Sequence, residues 1–433
     1  MKPPALSFLL LLVVPLAAAG PLTPEQELGK KLYEDVNLSL HRNQSCATCH
    51  SLAPSPGTVA TPGFVDPVNV ASGTPVSAGS VAGKTGALNT PSAGYAAFSP
   101  AFHWDKEEQL YVGGQFWNGR AATLAEQARG PILNPVEMAM PSEWAAVTRL
   151  KQDPEYRRRF REVYRLELAQ IPDNEHATAR NKAPAAVAAA YARMAQAIAA
   201  FESSPVFNRF TSKFDYYLAG KTTLTAQERQ GLKLFEEDKS KCSACHTIES
   251  TVGADGRKRP PLFTDFTYDN LGLPRNVNIP GNPKPDPGLA GHPQLAGKPA
   301  AAAERGKHKV MSLRNIAITP PYGHNGVFRT LEQITHFYNT RDTKAKVCRD
   351  NNDPGFGKTC WPAPEVRDNM NTEELGNLEL SPDEEAALVA FMKTLTDGYP
   401  DWGNDPKVPP GTPSPFADMV PPPAGYKSEP ERN

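Results

Sequence analysis

The chain has 433 residues, with 46 lysine and arginine residues against 47 aspartate and glutamate residues, and with six cysteines, nine histidines and 44 prolines. The balanced charge argues against a nucleic-acid-binding protein, which carries a basic excess or stripe, and beyond the N-terminus no segment approaches the roughly 20 apolar residues that span a bilayer. The length indicates two domains or three, and a hydrophobic content of 39% supports packed cores, so the prolines predict many ordered loops.

The first 19 residues have the pattern of a secretory signal peptide. Lys2 provides the charged start, Ala5 to Ala19 forms a short apolar run, and the last three alanines of that run offer a small-residue cleavage site. An uncleaved membrane anchor is the alternative, which the short run and its interruption by Pro15 disfavour. Cleavage would leave a periplasmic or exported protein whose cysteines lie in an oxidising compartment.

Two segments with the same pattern, Thr23–Tyr33 and Thr225–Phe235, each precede a pair of cysteines. Both open with a threonine suited to cap a helix, carry acidic residues in the first turn and place a glycine six residues after the threonine. Such a glycine allows another helix or a bound group to approach the backbone closely. The sequence therefore predicts an equivalent helix at the start of each half of the chain.

Each of these predicted helices is followed by a C-x-x-C-H motif, the attachment signature of c-type haem. The motifs consist of Cys46, Cys49 and His50, and of Cys242, Cys245 and His246. Two thiols one helical turn apart can form thioethers to the two vinyl groups of a haem, and the adjacent histidine then becomes the proximal ligand of the iron. A thioredoxin-type pair, which needs no following histidine, and a zinc site built from both motifs are the alternatives. The sequence predicts two covalently bound haem c groups.

Each half of the chain also ends in a predicted helix. The first is the alanine-rich segment Ala186–Phe201, and the second is capped by Ser381 and runs to about Leu395. A helix, a haem motif, a long loop excursion and a closing helix form the plan of cytochrome c. The sequence shows this plan twice, so we expect a mainly α fold with two cytochrome c-like haem domains and long ordered loops.

The predicted domains are residues 20–218 and 219–433. Stretches rich in proline and glycine lie at Ser51–Gly94 and Pro274–Pro299, and burial of a haem explains such long loops inside compact domains. The proline-rich tail after Tyr399 is expected to be mobile.

The last two cysteines, Cys348 and Cys360, lie 12 residues apart in a loop rich in aspartate, asparagine and glycine. In an exported protein this spacing predicts a disulfide, and two free thiols are the alternative. A loop this short contributes roughly 3 kcal/mol in the chain-entropy description of disulfide stabilisation.

Three further segments carry a family resemblance. Gly114–Leu124 reads GQFWNGRAATL, Gly130–Met138 reads GPILNPVEM, and Ser312–Gly326 reads SLRNIAITPPYGHNG. Together with the two haem motifs in order, these segments resemble the bacterial dihaem cytochrome c peroxidase superfamily, which includes MauG and MbnH. The likeness covers nearly all of the chain after the signal peptide.

The resemblance implies roles for several positions. Trp117 matches the tryptophan that the family places between the two haems, and an ordinary core aromatic residue is the alternative. Glu137 matches the distal-pocket carboxylate, which moves a proton between the oxygens of peroxide; a surface glutamate beside a proline turn is the alternative. Asn89, Thr319 and Pro321 resemble the interdomain calcium site, where side-chain and backbone oxygens suit this hard cation.

The first haem departs from the pattern of activation-dependent members of the family. Those members carry a removable distal histidine in the loop before the position equivalent to Asn89, whereas Ser51–Gly94 contains no histidine. The first haem is therefore expected to have His50 as its sole protein ligand. His103, beside an apparent insertion of about ten residues before Gly113, is the alternative ligand.

The second haem departs in its sixth ligand. Peroxidases of the family place a methionine 14 residues after the histidine of the Pro-Tyr-x-His motif, and here that position is Tyr338, as it is in MauG and MbnH. Leu331, Ile334 and Tyr338 share one face of a predicted helix, so the tyrosine points inward with apolar residues. The competing ligands are His336, Met311 and Met370, or an open site.

These features imply a MauG-like peroxidase. Hydrogen peroxide would react at the open first haem and generate high-valent haem iron, with the two oxidising equivalents spread over both haems. The haems would then take electrons from a residue of a partner protein. The alternative is a periplasmic cytochrome c peroxidase that reduces hydrogen peroxide to water with electrons from a small cytochrome or copper protein. A non-catalytic dihaem electron carrier is a third hypothesis, disfavoured by Glu137 and by the missing distal histidine. Tyr338 favours the first, because a phenolate lowers the reduction potential relative to methionine.

Overall fold

The computed structural model describes residues 21–56, 61–250, 260–281, 284–419 and 421. This part of the chain is mainly helical, as predicted. None of its helices combines the length and the apolar character that crossing a membrane requires. The predicted signal peptide, residues 1–19, lies outside the described residues.

Thirteen α-helices and six short strands are found in the described ranges. The helices are α1 (Pro24–Glu34), α2 (Cys46–Cys49), α3 (Pro67–Ser72), α4 (Leu124–Leu133), α5 (Glu143–Gln152), α6 (Pro154–Tyr164), α7 (Ala185–Glu202), α8 (Lys213–Leu218), α9 (Ala226–Glu236), α10 (Cys242–Cys245), α11 (Leu331–Thr340), α12 (Pro382–Lys393) and α13 (Tyr399–Trp402). The strands are β1 (His103–Asp105), β2 (Leu110–Val112), β3 (Tyr268–Asp269), β4 (His308–Lys309), β5 (Lys346–Cys348) and β6 (Cys360–Pro362). The pairs β1–β2 and β3–β4 are antiparallel, and β5–β6 is parallel.

The repeated sequence pattern folds into the same helix pair twice. Thr23 and Thr225 each form a capping box at the start of α1 and α9. Helix α1 packs on the closing helix α7, and α9 packs on the closing helix α12. Gly29 lies against Ala197 of α7, and Gly231 lies against the equivalent Ala387 of α12. The predicted close approach at the glycine is therefore confirmed in both halves.

Replacing either of these glycines by alanine should destabilise the protein by about 1–3 kcal/mol, because the added methyl group overpacks a helix contact. A Cβ atom at Gly29 would lie 2.8 Å from the Cβ of Phe201, and one at Gly231 would lie 2.8 Å from the Cβ of Phe391. Gly130 in α4 is a matched control, because a Cβ there meets only Phe116 Cζ at 3.6 Å.

Urea unfolding of the holoprotein measures these effects. Gly130→Ala should stabilise α4 by about 0.5–1 kcal/mol, the usual advantage of alanine within a helix. Equal unfolding midpoints for Gly231→Ala and the native protein would show that α9 and α12 do not depend on this contact.

Residues from the two halves of the sequence meet in one buried polar cluster. The guanidinium of Arg314 donates to both carboxylate oxygens of Asp215, with nitrogen–oxygen distances of 3.0 and 3.1 Å, and both side chains are almost completely buried. The rings of Tyr95 and Phe210 lie 4.9 and 4.5 Å from the Arg314 guanidinium carbon. This cluster ties the loop after the first haem motif to the segment that precedes α11.

The tail after Tyr399 differs from the sequence expectation as far as residue 419. Phe416 and Met419 pack against the buried rings of Tyr95 and Phe210, and Ser414 Oγ donates to the carbonyl oxygen of Phe210 at 2.6 Å. The expectation of a mobile tail is wrong for this part, because its apolar side chains have a receiving surface on the first half of the chain.

Two other expectations concern the second half. The disulfide between Cys348 and Cys360 is present, with a Cα–Cα distance of 5.2 Å, and it joins the ends of the β5–β6 pair. Helix α8 precedes the predicted domain boundary, yet Phe214 of α8 packs its ring 5.4 Å from that of Phe391 in α12. The boundary at residue 218 stays a prediction.

Candidate functional site

The first haem motif lies on the wall of a cavity of about 470 Å³, which we call the first cavity. Helix α2 is a single turn from Cys46 to Cys49, so both thiols face the same side, and His50 follows directly. The Nδ1 of His50 donates to the carbonyl oxygen of Phe64 at 3.2 Å. Burial lowers the pKa of His50, so the ring is neutral. Its Nε2 is thus the nitrogen left for a metal.

The second haem motif repeats this arrangement in a cavity of about 200 Å³, the second cavity. Helix α10 runs from Cys242 to Cys245, and His246 Nδ1 donates to the carbonyl oxygen of Phe263 at 2.8 Å. Burial also lowers the pKa of His246. Each cavity offers two thiols outside any disulfide and one neutral imidazole. This donor set fits a covalently attached haem in each cavity.

Glu137 lies on the wall of the first cavity, and its role as a distal carboxylate stays a prediction. Asn134, the residue after α4, donates from Nδ2 to Glu137 Oε1 at 2.6 Å. Burial raises the pKa of Glu137, while the charge of Arg120 and the hydrogen bond from Asn134 oppose that rise. Arg120 lines the same cavity and stacks on Phe116, with its guanidinium carbon 3.4 Å from the ring centre. A carboxyl group with a raised pKa in such a cavity is suited to take up and release a proton.

Trp117 lies on the walls of both cavities. Its indole Nε1 donates to the carbonyl oxygen of Asn89 at 2.8 Å. Its own carbonyl oxygen accepts from the backbone N–H of Lys309 at 2.8 Å. One hydrogen bond thus fixes the indole and the other fixes the backbone of Trp117. Together they hold this residue where its ring can contact groups in either cavity.

Tyr338 of α11 lies on the wall of the second cavity with His246. Burial raises the pKa of the Tyr338 phenol, so binding to a metal would displace a proton that the protein otherwise holds tightly. Met311 lines both cavities. The other two competing ligands are placed elsewhere: His336 hydrogen-bonds Glu385 at 3.0 Å, and Met370 packs against Gly272.

His103, the alternative ligand of the first haem, lies in β1. Its Nδ1 donates to the carbonyl oxygen of Ala101 at 2.8 Å. Among the residues that the structure describes, it is not part of the wall of the first cavity.

The three residues of the predicted calcium site share a third cavity of about 110 Å³, which Trp117 also lines. Asn89 Nδ2 donates to the carbonyl oxygen of Pro75 at 3.0 Å, so its Oδ1 is available as an acceptor. Thr319 and Pro321 lie on the same wall and offer backbone carbonyl oxygens. The cavity thus brings Asn89 together with Thr319 and Pro321, which are close to each other but far from Asn89 in the chain.

Two buried charged residues on these walls were missed in the sequence. Lys309 lines all three cavities, donates to Ser99 Oγ at 2.5 Å, and has its pKa lowered to about 7 by burial. Glu202, at the end of α7, lines the first cavity, and burial raises its pKa to about 8. Its Oε2 has no hydrogen-bond partner within the described ranges. A helical spacing of four from Ile198, which lines the same cavity, was the available signal for Glu202.

Comparison with known proteins shows the same similarity along most of the chain. Residues 23–223 match a family model described as di-haem cytochrome c peroxidase. The chain is 37% identical over 376 residues to methylamine utilization protein MauG of Paracoccus denitrificans, covering 86% of this chain and 88% of that protein. It is 29% identical to cytochrome c551 peroxidase of Nitrosomonas europaea, covering 90% and 86% of the two chains. The fold is similar to that of the diheme peroxidase BthA from Burkholderia thailandensis, with a TM-score of 0.67, 29% identity and coverage of 94% and 91%.

Proposed function

Because this chain belongs to the di-haem cytochrome c peroxidase family and is a haem peroxidase, we propose that it acts in the manner of MauG, using hydrogen peroxide to oxidise a residue of a partner protein. The observation that carries this proposal is that different functional residues line the two cavities. Glu137 lies only on the wall of the first cavity, Tyr338 lies only on the wall of the second, and Trp117 lies on both. One cavity is thus equipped for proton transfer to peroxide and the other for storing oxidising equivalents.

When bound, the two haems supply the redox chemistry, giving up the two electrons that reduce hydrogen peroxide to water. The four thiols of the C-x-x-C-H motifs hold them covalently. His50 and His246 would hold the irons through Nε2, and the hydrogen bonds from their Nδ1 atoms fix the orientation of both rings. Glu137 takes a proton from peroxide at Oε2 and returns it to the departing oxygen, while Asn134 holds Oε1.

Tyr338 is proposed as the sixth ligand of the iron in the second cavity. A hard phenolate lowers the reduction potential relative to a methionine. Such a centre is better suited to sharing oxidising equivalents than to accepting electrons from a high-potential donor. The alternative function is peroxide removal by a cytochrome c peroxidase with electrons from a small cytochrome or copper protein, and rapid turnover with reduced cytochrome c would favour it.

We further propose a calcium ion in the third cavity, bound by Asn89 Oδ1 and by the carbonyl oxygens of Thr319 and Pro321, with water completing its shell. The shared wall of these residues supports this proposal. We also propose that residues 1–19 are removed on export and that the mature protein acts in the periplasm. Two haem domains, close to residues 20–218 and 219–433, are consistent with the repeated helix pair.

Electron paramagnetic resonance of the resting ferric holoprotein tests this function. We expect one high-spin and one low-spin haem, and Tyr338→Phe should change the low-spin signal only. His336→Gln is the matched control on the same helix, and it should leave both signals unchanged because His336 bonds Glu385 rather than lining the cavity.

The outcomes are distinct. An unaltered spectrum in Tyr338→Phe would refute ligation by this tyrosine. Two low-spin signals together with no reaction on adding hydrogen peroxide would refute the peroxidase function itself.

A further inference from the structure

The β1–β2 hairpin, residues 103–112, forms most of the apparent insertion before Gly113. Trp104 of β1 is 40% exposed, which makes it one of few large apolar side chains open to solvent in the described part of the chain. It pairs across the hairpin with Tyr111 of β2, and the two ring centres lie 4.7 Å apart. An indole at the surface thus touches the half-buried ring of Tyr111.

The aromatic contacts continue inward from this pair. The rings of Tyr111 and Phe102 stack at 5.2 Å with an angle of 4° between them, and Phe102 meets Tyr268 edge-on at 6.1 Å. Tyr268 is buried in β3, where it pairs with Lys309 of β4. Lys309 lies on the walls of both haem cavities. A row of four rings therefore leads from solvent to the strand beside the cavities.

The inner end of this row also reaches the segment that holds Trp117. Gly119, two residues after Trp117, packs against both Phe102 and Tyr268, and a Cβ atom there would lie 2.9 Å from Phe102 Cδ2. Tyr268 Oη donates to the carbonyl oxygen of Gly113. The row is thus fixed to the same loop that places Trp117 between the two cavities.

The turn of the hairpin is acidic. It contains three acidic residues, Asp105, Glu107 and Glu108, and one basic residue, Lys106. The side chains of Lys106, Glu107 and Glu108 are exposed. The backbone N–H groups of Glu107 and Glu108 donate to Asp105 Oδ1 at 2.8 and 3.1 Å, which lowers the pKa of Asp105 and keeps it ionised. Negative charge around an exposed indole attracts a positively charged protein surface.

We propose that the β1–β2 hairpin is the electron port of this enzyme, where a one-electron-donating partner protein with a basic surface docks on the acidic turn beside Trp104. Electrons pass from the partner through Trp104, Tyr111 and Tyr268 toward the haem cavities, and Phe102 is the packed bridge between the two phenols. Indole and phenol rings give up an electron more readily than a phenyl ring does. The inference rests on the proposed function, because that function draws its electrons from a protein.

The electrons balance over two passages. Reduction of one hydrogen peroxide to two water molecules consumes two electrons and two protons. Each passage oxidises the partner by one electron and returns Trp104 to its starting state, so two one-electron donations, or a residue that loses two electrons in turn, complete the cycle. Without a partner, Trp104 itself gives up the two electrons that reduce hydrogen peroxide, takes an oxygen atom from water and releases two protons, so that it becomes hydroxylated.

Two measurements on the holoprotein test the port. In the first, hydrogen peroxide is added without a donor, and peptide mass spectrometry locates oxygen addition. Trp104 should be oxidised well above Trp144, an indole of α5 that is outside the row and bonded to the carbonyl oxygen of Pro172 at 2.8 Å. In the second, reduced cationic cytochrome c is the donor, and the double substitution Glu107→Lys/Glu108→Lys should slow its oxidation about tenfold or more at low salt. Trp104→Phe should also slow it, whereas Trp144→Phe should not.

The result separates the two claims. If the native protein does not consume hydrogen peroxide, the proposed function fails. If it does, equal oxidation of Trp104 and Trp144, or donor rates in Trp104→Phe and in the charge-reversed hairpin equal to the native rate, overturns the port while the peroxidase function stands.

Discussion

Replacing Glu137 by glutamine should slow the reaction of the holoprotein with hydrogen peroxide by about 10²- to 10⁴-fold, the usual contribution of a positioned proton-transfer group. Glutamine has nearly the same shape as glutamate and can still accept the hydrogen bond that Asn134 donates at 2.6 Å. It cannot take a proton from peroxide. Stopped-flow absorbance at several peroxide concentrations measures the second-order rate constant.

The pH dependence of the same rate constant is an independent test of proton transfer by Glu137. The ionised carboxylate takes the proton, so the rate should fall as pH falls through the pKa of Glu137. Burial raises that pKa, with Arg120 and Asn134 opposing the rise, so the fall should begin at a higher pH than it would for an exposed glutamate. In Glu137→Gln this limb of the profile should disappear.

Glu202→Gln is the matched comparison, because Glu202 lies on the wall of the same cavity. Burial raises the pKa of Glu202 to about 8, so at pH 7 its carboxyl group is mostly neutral and glutamine preserves the local charge. We expect the peroxide rate of this variant to stay within a few-fold of the native rate. If both variants were slowed equally, the proton-transfer group could not be assigned to Glu137.

The features that the sequence predicted well are local. In each C-x-x-C-H motif, one helical turn is enough to place both thiols on the wall of the same cavity. Helix α2 provides this turn in the first motif and α10 provides it in the second. Gly29 and Gly231 were identified because a glycine at one fixed position after a capping threonine matters only if another helix comes close. Each inference rests on a short stretch of sequence. The structure shows the helix that approaches each glycine, α7 beside α1 and α12 beside α9.

The features that were missed depend on burial by distant segments. Lys309 looks like an ordinary surface lysine until β3, Trp117 and the three cavities enclose it. The same is true of the tail, where Phe416 and Met419 are isolated apolar residues among prolines, and only the fold reveals the aromatic surface that receives them. Family resemblance brought together Asn89, Thr319 and Pro321, which no local pattern could have joined.

Replacing Arg314 by methionine should lower the free energy of unfolding by about 3–5 kcal/mol, because it leaves the carboxylate of Asp215 buried without its partner. The side chains of the pair are 1% and 0% exposed. Arg314 Nε also donates to the carbonyl oxygen of Pro261 at 2.9 Å, so that acceptor is left unpaired as well. Urea unfolding of the holoprotein, followed by circular dichroism, measures the loss.

The pair of Lys233 in α9 and Glu237, the residue after this helix, provides the control, because its side chains are 75% and 47% exposed. Exposed pairs contribute about 0–1 kcal/mol, so Lys233→Met should leave the midpoint nearly unchanged. The double variant Arg314→Met/Asp215→Asn should be more stable than Arg314→Met alone, since the asparagine removes the unpaired buried charge. A single variant as stable as the native protein, or a double variant less stable than the single, would contradict the buried ion pair as the cause.

The position of Arg314 gives this loss a consequence beyond stability. Its guanidinium lies between the rings of Tyr95 and Phe210, which precede the predicted domain boundary, while Arg314 follows it. Arg314 also lines the third cavity, where Trp117 and Asn89 meet. Weakening this cluster should therefore loosen the loop that supports the indole of Trp117, and Arg314→Met should slow electron exchange between the two haems even at temperatures where the protein stays folded. Arg314→Lys keeps the charge but lacks the bidentate geometry. We therefore expect its free energy of unfolding, and its rate of electron exchange between the haems, to lie between the values for the native protein and for Arg314→Met.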